Sequence, residues 1–125
     1  MTAPAGAVRI PVMTTLLIAD DHGSFRAWAR RMLADDGYEI VGEAADGASA
    51  IEAVTILRPE ITLLDILLPD MSGLDVADAI DESTTVVLTS SRSEADFGDE
   101  PRLVGRFIPK TDLSGVALAR AAARP

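Results

Sequence analysis

The sequence predicts an α/β fold in which helices cover both faces of a parallel β-sheet. Five short apolar runs occur along the chain, and most of the segments between them carry apolar residues at helical spacing. The runs lack the alternation of polar and apolar residues that marks a sheet with one face in water. Strands that alternate with helices form βαβ units, and right-handed crossovers make their sheet parallel. The 125 residues provide one domain with a hydrophobic core and leave no room for a second.

The predicted strands cover residues 14–19, 38–44, 61–64, 85–88 and 106–108. The third run is short, largely apolar and rich in branched residues, as expected for a strand buried on both faces. Asp65 follows it directly, and Pro69 and Gly73 then mark a turn before the next helix. A carboxylate at this end of a parallel strand lies where open α/β sheets bind ligands. The alternative is an aspartate that caps the following turn.

The predicted helices cover residues 24–36, 48–57 and 73–80, and an alanine-rich helix runs from about residue 113 nearly to the C-terminus. In the first helix, Phe25, Trp28 and Leu33 share one face, which predicts that Trp28 packs in the core. The segment 92–104 is the place for a fourth helix. Gly98 and Pro101 within it predict that this helix is short, bent or mobile.

Composition and charge exclude several classes of function. With a net charge of −9, the chain lacks the basic footprint of a nucleic-acid-binding protein and offers nothing to an anionic membrane surface. No apolar run approaches the roughly 20 residues of a membrane span, and the N-terminus lacks the pattern of a signal peptide. We therefore expect a cytoplasmic protein, with residues 1–13 as a flexible tail and residues 14–125 as the folded domain.

The chain contains no cysteine and a single histidine, His22. This composition excludes disulfides, thiol catalysis and Cys-ligated zinc, and it provides neither a multi-histidine metal site nor a Ser-His-Asp triad. His22 follows an acidic pair and could touch a site formed there, but it is expected to be a solvated loop residue. The chemistry must therefore come from carboxylates, hydroxyls and lysine.

Polar residues end four of the five predicted strands. They are Asp20 and Asp21 after the first strand, Asp65 after the third, Thr89 after the fourth and Lys110 after the fifth. Since parallel strands all end at the same edge of a sheet, these side chains should converge there. Three clustered carboxylates repel one another unless a cation joins them, and Mg²⁺ prefers such oxygen ligands. A carboxylate nucleophile, a metal, a lysine and a hydroxyl together suit phosphoryl transfer.

The same motifs resemble the receiver domain of two-component response regulators, which take a phosphoryl group from histidine kinases. The matching stretches are Leu-Leu-Ile-Ala-Asp20-Asp21-His, Leu-Leu-Asp65-Ile-Leu-Leu-Pro69-Asp-Met-Ser-Gly73, Val-Val-Leu-Thr89-Ser-Ser and Gly105-Arg-Phe107-Ile-Pro-Lys110. The resemblance covers about residues 14–122. It implies a flavodoxin-like, doubly wound sheet of five parallel strands in the order 2-1-3-4-5, with helices on both faces.

The resemblance also implies the roles of the acidic residues. Asp65 corresponds to the phospho-acceptor, and Asp20 and Asp21 correspond to the acidic pair that holds Mg²⁺ together with Asp65. The backbone carbonyl of Leu67, two residues past the acceptor, corresponds to a further metal ligand.

Three other residues correspond to the phosphoryl contacts and the switch of this family. Thr89 and Lys110 correspond to the residues that contact the phosphoryl group. Phe107 occupies the switch position, where an aromatic ring turns inward when Thr89 moves toward the phosphate. One departure concerns the loop around the lysine, because Pro109 precedes Lys110 and Thr111 follows it, where the family normally has a proline after the lysine.

The implied partners are a histidine kinase or histidine phosphotransfer protein and a downstream target protein, and the family allows a phosphorylation-dependent dimer. We expect a stand-alone receiver that catalyses only its own phosphorylation and dephosphorylation. Two other functions stay open. One is a receiver-like module that binds proteins without phosphorylation. The other is a small phosphatase with an aspartate nucleophile, which would need an acid/base Asp where this chain has Leu67.

Overall fold

The computed structural model describes residues 13–123, which form a five-stranded parallel sheet with two α-helices on each face. The strands are β1 (Thr15–Ala19), β2 (Glu39–Ala44), β3 (Ile61–Asp65), β4 (Thr85–Ser90) and β5 (Phe107–Pro109). The helices are α1 (Gly23–Asp35), α2 (Gly47–Leu57), α3 (Gly73–Ile80) and α4 (Gly115–Ala122). The predicted strands and these four helices are confirmed, with small shifts at their ends. Apart from Met13, the tail predicted for residues 1–13 lies outside the described residues.

The strands pair in the order β2-β1-β3-β4-β5, and every pair is parallel. This order confirms the flavodoxin-like fold. Ala19 lies beside Leu64 in the register of β1 and β3, so the residues that follow these two strands leave the sheet at one edge. The chain reverses its direction of strand addition between β1 and β3, and such a switch point is where doubly wound sheets form their binding crevice.

The sheet is buried on both faces, as the apolar strands require. One face packs against α2 and α3 through a cluster that includes Leu17, Leu64, Leu88, Val54 and Val76. The other face packs against α1 and α4 through a cluster that includes Leu16, Leu63, Val87, Leu33 and Leu118. Burial of each large apolar side chain stabilises the fold by about 1.5–3 kcal/mol, so these two clusters hold the strand ends in place. Within residues 13–123, no helix combines the length and the apolar character needed to cross a membrane.

Trp28 does not pack in the core, so that prediction is wrong. Ala29 and Leu33 are the buried residues of α1, and Trp28 lies at the edge of this face with 42% of its surface exposed. The indole packs instead against a neighbour on the same helix, with its ring centroid 5.8 Å from that of Phe25.

The segment between β4 and β5 contains two short 3₁₀ turns, Glu94–Phe97 and Pro101–Leu103, in place of a fourth α-helix. Gly98 ends the first turn with φ near +66°, a conformation that favours glycine, and Pro101 begins the second. The expected fourth helix, short, bent or mobile, is therefore wrong in that no α-helix forms here, because Gly98 and Pro101 interrupt the segment. Leu103 is buried and anchors this segment in the core beside α2 and α3.

Two arginines fasten this segment to the C-terminal half of α3. The guanidinium of Arg102 donates hydrogen bonds of 2.9 Å to Glu100 and to Asp78 on α3. The guanidinium of Arg106 donates to Asp81, at the end of α3, over 2.8 Å. Arg102 also holds the pKa of Glu100 down to about 2. The face between β4 and β5 is therefore shaped by side-chain ion pairs.

Candidate functional site

The strand ends bring the predicted site residues together at one edge of the sheet. Asp20 follows β1, Asp65 ends β3, and Thr89 lies directly beside Asp65 in the register of β3 and β4. Lys110 follows β5 and begins a short 3₁₀ turn that ends at Asp112. The convergence predicted from the sequence is thus found in the fold.

A buried ion cluster lies at the centre of this edge. Nζ of Lys110 lies 2.6 Å from Oδ2 of Asp20 and 3.3 Å from Oδ2 of Asp65. The side chains of Asp20 and Asp65 are almost wholly buried, and that of Lys110 is largely buried. The ammonium group also lies 4.4 Å from the centroid of the Phe25 ring, which adds a cation–π contact. Lys110 is therefore held in place by both carboxylates and by α1.

The two buried carboxylates differ in their affinity for protons. Burial raises the pKa of Asp65 and the nearby charge of Asp20 raises it further, although the Leu67 amide and Lys110 act in the opposite direction. Burial acts in the same way on Asp20, but Lys110 and the backbone N–H of His22 outweigh it and hold the pKa of Asp20 below its usual range. The ammonium group of Lys110 thus compensates the negative charge of Asp20 more fully than that of Asp65. The remaining negative charge favours the binding of a further cation.

His22 is exposed, as expected, and it also contacts the acidic pair, which the sequence offered as the less favoured alternative. Its backbone N–H donates a 2.8 Å hydrogen bond to Oδ1 of Asp20. Its ring Nδ1 lies 3.1 Å from Oδ1 of Asp20 and 3.1 Å from Oδ1 of Asp21. The side chain is nevertheless 64% exposed. Its position next to Asp21 in the sequence was the only signal for this contact.

The loop after β3 is held tightly against Asp65. The backbone N–H of Leu67 donates a 3.0 Å hydrogen bond to Oδ1 of Asp65. Gly73 begins α3, and its N–H donates a 2.7 Å hydrogen bond to the carbonyl of Ile66. A Cβ atom at Gly73 would collide with the carbonyl oxygen of Asp65 and with Cα of Ile66. The missing side chain of Gly73 therefore allows α3 to begin directly against the end of β3.

Asp70 is a structural residue of this loop that sequence reasoning did not single out. Its Oδ1 accepts a 2.7 Å hydrogen bond from the N–H of Gly47, and its Oδ2 accepts a 3.0 Å bond from that of Ala48. These are orphan amides of the first turn of α2. Asp46 caps the next amide, that of Ser49. Asp70 thus joins the loop that follows Asp65 to a neighbouring helix, a link that pairs residues far apart in the sequence.

Thr89 and Phe107 lie on the side of the site that faces β5. Thr89 is fully buried, and its hydroxyl donates a 2.7 Å hydrogen bond to the carbonyl of Ile108. Phe107 is half-buried, and its ring centroid lies 6.0 Å from that of Phe97 in an edge-to-face arrangement. The described peptide bonds around Lys110 are all trans.

The residues at this edge fit a divalent cation. One ligand atom from each of Asp20, Asp21, His22 and Asp65 lies within 4.8 Å of the others. Among residues 13–123, Oδ2 of Asp20 is buried and has no hydrogen-bond partner of good geometry, although Nζ of Lys110 lies 2.6 Å away as an ion-pair partner. Mg²⁺ binds such sets of oxygen donors, in which a buried carboxylate oxygen without a hydrogen-bond partner lies near two other carboxylates.

Known proteins share both the sequence pattern and the fold of this chain. The model of the response regulator receiver domain family matches residues 16–101. The transcriptional regulatory protein PdtaR of Mycobacterium tuberculosis is 33% identical over 107 residues, which are 84% of this chain and 52% of that protein. A protein-glutamate methylesterase/protein-glutamine glutaminase of Geobacter metallireducens is 39% identical over 87 residues, which are 67% of this chain and 25% of that protein. The chain therefore spans about half or less of the length of these curated relatives.

The structural comparison agrees with the sequence comparison. The receiver domain of the response regulator NarL from Mycobacterium tuberculosis superposes with a TM-score of 0.74 at 31% identity, covering 91% of this chain and all of that one. The receiver domain of CheB from Thermotoga maritima, at 24% identity, has the same fold with a TM-score of 0.71 and covers 88% of this chain and 89% of that one. Fold, strand-end residues and relatives agree, and the chain belongs to the response regulator receiver domain family of two-component systems.

Proposed function

We propose that this receiver domain is a phosphorylation switch in which Asp65 accepts a phosphoryl group from a histidine kinase or a histidine phosphotransfer protein. The observation that carries the proposal is the convergence of Asp20, Asp65 and Lys110, with Nζ of the lysine within 3.3 Å of both carboxylates. Such a site combines a nucleophile with positive charge at the place where a phosphoryl group would be attached.

The transfer exchanges one bond to phosphorus for another. A carboxylate oxygen of Asp65 attacks the phosphorus of a phosphohistidine, and an O–P bond forms as the P–N bond breaks. The electron pair of the P–N bond stays with the imidazole nitrogen of the donor. Lys110 remains beside the acceptor throughout and balances the charge of the transferred group.

Asp20, Asp21 and Asp65, with the backbone carbonyl of Leu67, are the proposed ligands of Mg²⁺. When bound, the cation neutralises the carboxylates and the phosphoryl oxygens, so that an anionic donor can approach. Asp20 and Lys110 hold each other in the buried part of the site. Asp21 is partly exposed and lies on the side open to solvent.

The proposed switch acts through Thr89 and Phe107. The hydroxyl of Thr89, which lies on the strand beside Asp65, leaves the carbonyl of Ile108 and donates to the phosphoryl group. Movement of Thr89 frees space beside β5 for the ring of Phe107. Phosphorylation thus shifts a two-state equilibrium by its different contacts in the two states. A downstream target protein, or a second copy of the chain, would read this shift.

Phosphorylation by a small-molecule phosphodonor, read by intact mass, tests the proposal. We expect the wild type to gain one phosphoryl group with Mg²⁺ and to lose this gain when Mg²⁺ is chelated. Asp65→Asn should gain none, whereas Asp75→Asn, which changes an exposed carboxylate at the start of α3, should behave as the wild type.

Two results would contradict the proposal. A folded wild type that gains no phosphoryl group with any donor would favour the module that binds proteins without phosphorylation. Steady release of phosphate from a small phosphoester would instead favour the phosphatase, despite the leucine at position 67.

A further inference from the structure

His22 places a nitrogen donor beside the carboxylates of the site. Its Nδ1 lies 3.1 Å from a carboxylate oxygen of Asp20 and equally far from one of Asp21. Its ligand atom belongs to the same group of four, within 4.8 Å of one another, as the three aspartates. The imidazole therefore lies inside the donor set, although the proposed Mg²⁺ ligands are all oxygen atoms.

Apart from its contacts with Asp20 and Asp21, this imidazole contributes little to the fold. His22 is the N-cap residue of α1, yet its side chain makes no capping hydrogen bond. Its backbone N–H holds the turn onto Asp20, and its carbonyl accepts the first helical hydrogen bond from Arg26. Both backbone contacts persist whatever side chain occupies position 22. The ring is largely exposed, so it contributes little to packing.

The site also contains a buried ligand atom that is not fully satisfied. Oδ2 of Asp20 lies in a side chain with no exposed surface, and it has no hydrogen-bond partner of good geometry among the described residues. This oxygen lies 2.6 Å from Nζ of Lys110, which balances its charge. The other oxygen of Asp20, Oδ1, lies beside the imidazole, as does Oδ1 of Asp21, so a cation bound there would meet carboxylate and imidazole donors together.

The chemistry of the donor atoms decides which cations bind more tightly because of the fourth ligand. Mg²⁺ prefers oxygen and gains little from a neutral imidazole. Borderline cations such as Ni²⁺, Co²⁺ and Zn²⁺ bind imidazole strongly and tolerate carboxylates in the same shell. As a ligand, His22 would therefore change which metals the site prefers, whereas the carboxylates already provide the site itself.

We propose that His22 is a ligand of the cation at this site and that, through it, the receiver binds borderline divalent metals such as Ni²⁺ more tightly than an all-oxygen site would. The inference rests on the proposed cation site of the phosphorylation switch. Loading with such a metal would place the switch under the control of metal availability as well as of the phosphodonor.

Metal titrations of the full chain test this inference. Calorimetric titrations with NiCl₂ and with MgCl₂ at about pH 8 would compare the wild type with His22→Gln and His22→Asn. Both variants keep the backbone bonds of position 22 and remove only the imidazole. We expect the affinity for Ni²⁺ to fall by about tenfold or more in both variants, and the affinity for Mg²⁺ to stay unchanged.

The only histidine of the chain supplies an independent readout. Substoichiometric Ni²⁺, which is paramagnetic, should broaden the imidazole proton resonances in the NMR spectrum of the wild type. Asp21→Asn should weaken the binding of both metals, because it removes an oxygen ligand that the two metals share.

The outcomes separate this inference from the proposed function. Equal Ni²⁺ affinities in the wild type and both His22 variants, or sharp imidazole resonances in the presence of Ni²⁺, would overturn the role of His22. If Mg²⁺ still supported phosphorylation of Asp65 in that case, the proposed function would stand. Binding of Ni²⁺ through His22 without any Mg²⁺-dependent phosphorylation would keep the metal site and overturn the switch.

Discussion

The hydroxyl of Thr89 donates a 2.7 Å hydrogen bond to the backbone carbonyl of Ile108 and so fastens the end of β4 to β5. Thr89 lies beside Asp65 in the sheet and is fully buried. A single hydroxyl is therefore placed between the proposed acceptor and the strand that carries Phe107. The proposed switch can therefore be tested by removing the hydroxyl group of Thr89.

We predict that both Thr89→Val and Thr89→Ser can be phosphorylated. Only the serine variant should pass the conformational change on to β5. Both variants should lose about 1 kcal/mol of unfolding free energy, valine through the lost hydrogen bond and serine through the lost methyl group. The pair is thus matched in stability. Amide chemical shifts in β5 should move on phosphorylation in the serine variant only. A full response in the valine variant would contradict the role of Thr89.

Gly73→Ala should disturb the acceptor strand. The added Cβ would collide with backbone atoms of Asp65 and Ile66, and relief of this overlap should cost about 1–3 kcal/mol of unfolding free energy. The yield of phosphorylated protein should fall as well, since Asp65 is displaced. Urea unfolding and intact mass would measure the two effects.

Gly23→Ala is the matched control for this change. Gly23 also begins a helix, α1, but a Cβ there would meet its nearest neighbour, in Arg26, at an ordinary 3.6 Å. Its stability should be unchanged or higher by about 0.4–1 kcal/mol. Equal stabilities of the two variants would show that the close approach of position 73 to β3 does not require glycine.

Asp70→Asn should lower stability in a pH-dependent way. The amides of Gly47 and Ala48 hold the pKa of Asp70 below its usual value. A lowered folded-state pKa stabilises the fold at pH values above the unfolded-state pKa of about 3.9, and this contribution is lost as the pH falls through the folded-state pKa. The difference between the wild type and Asp70→Asn should therefore be full at neutral pH and shrink from about pH 5 downward.

Urea unfolding of both proteins across this pH range would measure the difference. Asp99→Asn changes an exposed carboxylate between β4 and β5 and serves as the control. A constant difference for Asp70→Asn at all pH values would show that the charge of Asp70 does not stabilise α2.

Arg102→Gln should loosen the segment between β4 and β5 without unfolding the sheet. The change removes the ion pairs of this guanidinium with Asp78 and Glu100. Hydrogen exchange should become faster for the amides of residues 93–104 and stay unchanged in β1 and β3. Arg92→Gln, an exposed arginine of the same segment, should leave the pattern as it is. Uniformly faster exchange over the whole chain would instead mean that Arg102 stabilises the entire fold.

The sequence predicted the sheet and the convergence of the site because both follow from local patterns. The apolar run at residues 61–64, rich in branched residues and followed by turn residues, is typical of a buried strand, and parallel strands bring their C-terminal ends to one edge. Once the strands were in place, the relative positions of Asp20, Asp65 and Lys110 followed.

What the sequence could not predict depends on side-chain packing and on long-range contacts. Trp28 has the periodicity of a core residue, but Ala29 and Leu33 are the residues of α1 that the core buries, and 42% of the surface of Trp28 stays exposed. The bond from Asp70 to the start of α2 joins two loops that no motif connects. The contact of His22 depends on a turn that its own backbone N–H closes onto Asp20.

The ion pairs that fasten the segment between β4 and β5 have a consequence for molecular recognition. Two 3₁₀ turns provide few repeating backbone bonds, so the ion pairs of Arg102 and Arg106 act together with the buried Leu103 to order this face. A partner that placed carboxylates here would compete with Asp78 and Asp81 for the two guanidinium groups. Binding at this face would then be coupled to the order of the segment, and the free energy of that ordering would form part of the measured affinity.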